Sequence, residues 1–96
     1  MTVNQKLSGV LKGKALASMQ VTPSVATLHF ADGTVMTAQG TASGVVAPKG
    51  AVNSVSETGA VLGIVFDDGM SVTITMIDPG GSVMVRDKAN RVIYAG

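Results

Sequence analysis

Residues 61–76 read Val61-Leu62-Gly63-Ile64-Val65-Phe66-Asp67-Asp68-Gly69-Met70-Ser71-Val72-Thr73-Ile74-Thr75-Met76. The second half alternates. Met70, Val72, Ile74 and Met76 fall on one side of an extended chain, and Ser71, Thr73 and Thr75 on the other. Successive side chains of a strand point to opposite faces, so this is the pattern of a strand with one buried face. The first half is apolar on both faces, which predicts burial on both. Between them, Asp67-Asp68-Gly69 signals a turn. Gly takes the positive φ of a tight hairpin, and Asp bonds its own backbone. The stretch predicts a β-hairpin with a three-residue loop.

The same plan occurs 36 residues earlier: Val25-x-x-Leu28-x-Phe30-x-Asp32-Gly33 matches Val61-x-x-Ile64-x-Phe66-x-Asp68-Gly69, and Thr37 matches Thr73. A hairpin is therefore expected over 25–38 as well as 61–76. Either the pair is an internal duplication, or like turn chemistry has produced like hairpins. Downstream, Asp78-Pro79-Gly80-Gly81 predicts a turn with Pro presetting φ. Residues 82–86 and 91–95 predict a last hairpin around Asp87-Lys88-Ala89-Asn90. Between the two copies, residues 40–59 contain four Gly and one Pro. They read either as two short strands, near 41–46 and 51–56, or as a mobile loop on a rigid scaffold.

At the N terminus, residues 2–13 form the one helix candidate. Thr2 and Gln5 have capping-box spacing, and Val3, Leu7, Val10 and Leu11 fall on one side. Gly9 and Gly13 each cost about 1 kcal/mol relative to Ala, so such a helix needs docking to persist. Residues 1–20 are thus expected to be a short helix or a flexible arm, and 21–96 a single β domain. The expected fold is mainly β, with about six antiparallel strands in a small barrel or a two-layer sandwich.

Composition supports the β reading and narrows the function. Val, Ile and Thr make up 28 of the 96 residues, and these stiff side chains suit a pleated surface. The net charge is +1 and the aromatic rings are Phe30, Phe66 and Tyr94, which argues against nucleic acid as a partner. Residues 1–31 carry Lys6, Lys12 and Lys14 and no acid, while six acids and four bases lie beyond. A solvated basic face explains that start better than a targeting segment, because polar residues and glycines interrupt 7–19. The longest apolar run, 60–66, is far short of the roughly 20 residues of a membrane helix. No cysteine is present, which removes disulfides and thiolate chemistry and leaves the compartment undefined.

Candidate sites are sparse. An up-and-down order of strands would bring Asp67, Asp68 and Asp87 to one end of the sheet. Asp32 would join them if 40–59 crosses the sheet an even number of times, and Asp78 would lie opposite. Several carboxylates on one rim are weak candidates for a calcium site, since no Asp-x-Asp-x-Asp-Gly loop is present and Asp serves turns for local reasons. His29, the one histidine, has no nucleophile elbow to serve, and a half-exposed strand histidine is the simpler reading. No Gly-x-Gly-x-x-Gly or Gly-Lys-Ser/Thr cradle occurs, so no cofactor is expected. Met36, Met70, Met76 and Met84 read as flexible core filler. The last strand, with Arg91, Val92, Ile93 and Tyr94, is expected at a sheet edge. Arg86, Lys88 and Arg91 sit beside it as guards against pairing with other chains.

Val21-Thr22-Pro23-Ser24-Val25-Ala26-Thr27-Leu28, followed by Gly33-Thr34-Val35, resembles the opening of bacterial immunoglobulin-like repeats, which are β-sandwich spacers and adhesive modules. Residues 59–76 do not continue that pattern. The resemblance implies a sandwich as the alternative to a barrel. Together these features lead to a non-enzymatic structural or protein-interaction module, with a protein partner or a second copy as its ligand. A small-ligand-binding barrel with 40–59 as its lid is the alternative.

Overall fold

The computed structural model describes residues 2–3, 5–44, 50–78 and 82–96. Among them lie one short helix and nine strands: β1 (Thr2–Val3), α1 (Gln5–Leu11), β2 (Leu16–Val21), β3 (Val25–Phe30), β4 (Val35–Gly44), β5 (Val52–Thr58), β6 (Val61–Phe66), β7 (Ser71–Met76), β8 (Val83–Arg86) and β9 (Val92–Ala95). The mainly β class follows from the sequence pattern; the number and order of strands do not. Instead of about six strands in up-and-down order, one open antiparallel sheet runs β1-β5-β6-β7-β4-β3-β2, with β8 added to β4 and β9 to β8.

β4 explains the difference. At ten residues it is the longest strand, and its two halves serve different neighbours. Residues 35–39 pair with β3 on one side, and 35–38 with β8 on the other. Residues 40–44 pair with β7. The changeover falls at Gly40, whose Cα lies so close to the backbone of β7 that an added Cβ would sit 2.1 Å from the Thr75 carbonyl oxygen. A side chain is impossible there, and its absence lets one ribbon pass from one half of the sheet to the other.

The sheet bends around a single core. Ala26, Leu28, Phe30, Met36, Ala38, Val83 and Val85 come from one half, and Val52, Val55, Leu62, Ile64, Phe66, Val72, Ile74 and Met76 from the other. In β3 and β7 every second residue is buried, as the alternation requires. The barrel does not close. Between β2, at one end of the path, and β5, next to β1 at the other, the sole ladder pairing among the described residues is an isolated bridge, Ala15 to Ala51.

The helix is shorter than the 2–13 expected. Thr2 and Val3 are not a cap but a strand, pairing with Glu57 and Ser56 at the border of β5. Residues 5–11 then bury Leu7 and Leu11 completely, with Val10 packed against the core. Docking holds a seven-residue helix that would be marginal alone. Residues 16–20, assigned from sequence to an N-terminal arm, belong to β2 and hence to the sheet. The 40–59 segment is mostly strand: 40–44 complete β4 and 52–58 form β5, which takes most of the proposed lid out of a loop. Residues 45–49, and the Pro79-Gly80-Gly81 part of the predicted turn, lie outside the described residues. Ser82 fixes one flank of that turn, its hydroxyl donating to the Asp78 carbonyl (2.7 Å) and accepting from the Asp78 amide (2.9 Å).

Candidate interaction edge

The C-terminal hairpin carries the residues singled out as an edge. Its turn is built by Asp87, whose carboxylate accepts from the amides of Ala89 (2.9 Å) and Arg91 (3.0 Å). Asn90 takes the left-handed conformation, φ 66°, that Asn tolerates best among residues with a Cβ. The Arg86 guanidinium donates to the Asn90 carbonyl at 3.2 Å, so this guard is spent on the hairpin itself. β9 starts one residue later than expected, leaving Arg91 in the turn.

β9 is hydrogen-bonded to β8 and to no other described strand. Val83 and Gly96 exchange both of their backbone bonds, at 2.7 and 2.9 Å. By the antiparallel alternation, Ala95 then turns its N–H and C=O away from β8. Val85 faces Tyr94 and Arg86 faces Val92, so Ile93 is the extra residue of a bulge. Val92 is 48% exposed and Ile93 38%. Tyr94 points the other way: it packs on the core, and the Lys6 ammonium sits over its ring, 5.9 Å from the centroid. This cation–π contact ties α1 to the hairpin. Met84, opposite Ala95, adds a further exposed apolar side chain.

A shallow hollow of about 480 Å³ lies beside the hairpin, on the outer side of the sheet, between Val25, Thr37, Gln39, Met84 and Ala95. It is not a barrel mouth. Its lining carries no ionisable side chain.

The acidic turn residues each serve their own surroundings. Asp32 accepts from the Thr34 amide (2.9 Å) and pairs with the Lys14 ammonium. That ammonium first, and hydrogen bonds from Thr34 second, hold the Asp32 carboxyl well below the usual carboxylate range. Asp68 accepts from the Met70 amide at 2.9 Å. Asp32 and Asp87 do line one hollow, together with Lys14 and Lys88. Among the described residues, no three His, Cys, Asp or Glu side chains are grouped so as to hold a metal. His29 stands half-buried on the outer side of β3, opposite Ser18 and Val35. Met36 and Met76 are core residues, whereas Met70 precedes its strand and is 43% exposed, off the face assigned to it.

Sequence reasoning missed Ser8. Its hydroxyl donates to the Val55 carbonyl (3.0 Å) and accepts from the Val55 amide (2.8 Å), standing in for a backbone partner where β1 stops. Nothing in the local pattern marks a helix serine for a strand 47 residues away.

No family model, curated protein or solved structure matches this chain. No described helix is long and apolar enough to cross a membrane.

Proposed function

We propose that this domain is a non-enzymatic structural or interaction module that joins another chain by strand addition at β9. The observation that supports the reading is the pairing of β9 with β8 alone, together with the exposed Val92 and Ile93. An extended partner strand gains main-chain hydrogen bonds at such an edge and apolar contacts beside it. An open sheet also offers edges that a closed barrel would not. The titratable side chains do not favour catalysis, because Asp32, Asp68 and Asp87 spend their oxygens on nearby backbone amides and on Lys14.

The edge is short, four residues, and the bulge at Ile93 twists it, so self-pairing is weak and concentration-dependent. Sedimentation velocity over a wide concentration range tests this with a second copy as the occupant. A shift from monomer toward dimer is expected, and Ile93→Lys should remove it while leaving the thermal unfolding temperature almost unchanged. A chain that stays monomeric at the highest concentration, or an Ile93→Lys variant that associates as well as the parent, would overturn strand addition at β9 with a second copy.

A further inference from the structure

We infer that the domain is a tandem duplication of a three-stranded unit, folded about a pseudo-two-fold axis that passes between Ala15 and Ala51, with the β8–β9 hairpin appended outside the repeat. The two hairpins alone could be convergent. What lies outside them could not easily be.

The ladder registers and the bulge of β2-β3-β4 recur 36 residues later in β5-β6-β7. In β2–β3, Leu16 faces Phe30, a bulge follows at Ala17, and Ser18 faces His29. In β5–β6, Val52 faces Phe66, a bulge follows at Asn53, and Ser54 faces Val65. Val25–Gln39 through His29–Val35 map onto Val61–Thr75 through Val65–Ser71 without a slip. The amide of Ala31 donates to the Ala15 carbonyl and that of Asp67 to the Ala51 carbonyl, both at 2.8 Å. The Gly40 amide donates to Ser24 (2.8 Å) and the Met76 amide to Ala60 (2.7 Å), again 36 apart. Gly33 and Gly69 have φ of 92° and 85°. A bulge costs ladder bonds and is placed by design rather than by strand propensity, so its repetition at the same register points to common descent.

The symmetry is more than a repeat along the chain. Equivalent residues touch one another only on a rotation axis, and Ala15 bridges its own equivalent, Ala51, antiparallel. The units also share a strand at positions outside the repeat: 40–44, the end of β4, pair with β7 of the second unit, and β8, which follows the second unit, pairs with the start of β4. The first unit then runs on toward β5, while the second adds β9. The exposed edge therefore belongs to the one hairpin the duplication does not contain. The units have diverged at their tips. Gly50 stands where Lys14 would be, and exposed Met70 replaces buried Thr34.

Two measurements on the full chain test the inference. In an Ala15→Cys/Ala51→Cys variant, mild oxidation should give complete intrachain cross-linking of a monomer, while each single variant should give none. Free thiols or interchain products in a double variant whose circular dichroism matches the parent would remove the axis. Should that variant fail to fold, amide exchange on the parent decides. Protection should rise and fall together at Ala31 and Asp67, and at Gly40 and Met76. Protection confined to one member of each pair would overturn the duplication.

Discussion

Gly40 shows how far one residue can constrain this fold. It packs against backbone rather than against a side chain that could move aside, with the Thr75 carbonyl carbon at 2.8 Å and the Met76 Cα at 2.9 Å from an added Cβ. Gly40→Ala should therefore cost about 3 kcal/mol or more, by separating β4 from β7. Gly9 is the contrasting case: exposed in α1, with nothing within 4 Å of an added Cβ. Gly9→Ala should stabilise the domain by up to about 1 kcal/mol, since only helix propensity changes. Urea unfolding of the two variants checks both signs. Asp32 gives a pH-dependent case. Its carboxyl titrates lower in the folded chain than in the unfolded one, so its stabilising contribution is present above the ordinary carboxylate value of 3.8 and is lost as pH falls below it. The side chain is 48% exposed, which limits the ion pair to less than about 1 kcal/mol after solvent screening. Asp32→Asn keeps the acceptor for Thr34. Its deficit in urea unfolding should be seen at neutral pH, shrink in added salt and vanish in strong acid.

Among the elements, those with an unbroken two-residue period read plainly from the chain, whereas bulged β5 reads only as one of two alternatives for 40–59 and bulged β2 not at all. β3, β6 and β7 follow from Ala26, Leu28 and Phe30, from Leu62, Ile64 and Phe66, and from Val72, Ile74 and Met76. β2 and β5 escape the same test because their inward residues, Leu16 and Met19 or Val52 and Val55, stand three apart. The bulges at Ala17 and Asn53 turn that spacing into one face, but three-residue spacing on paper suggests a helix or nothing. The edge strand was legible for a different reason: Asp87 to Asn90 is strong turn chemistry, and the last apolar residues follow it directly. α1 was legible as a helix but not as a prop. Ser8→Ala would leave the Val55 amide and carbonyl without their partner at the border of β5. A loss of about 1–3 kcal/mol is expected, with faster amide exchange at Val55 than at Ile64 across the ladder.

At the level of the whole molecule, strand order was hidden because nothing in the sequence says that β4 serves two partners along its length. Adjacent strands usually pair, and on that rule β4 would have met β5. The carboxylates expected on one rim depended on that order. The structure instead gives Asp32 to Lys14 and Asp87 to its own turn. The packing carries a further expectation. Phe30 and Phe66 occupy equivalent places in the two units and are both buried, at 3% and 1% exposure. Phe30→Ala and Phe66→Ala should each cost roughly 3–5 kcal/mol, and denaturant unfolding should find their losses alike.

The continuity of β4 has a thermodynamic corollary. A chain whose two halves were joined by a linker could melt one at a time, but here one ten-residue strand is hydrogen-bonded into one half along 35–39 and into the other along 40–44. Neither half can come apart without stripping a ladder from the other. Heat should therefore take the domain from native to denatured in a single step, with calorimetric and van't Hoff enthalpies equal. The fusion of two units should then leave no trace in the melting curve.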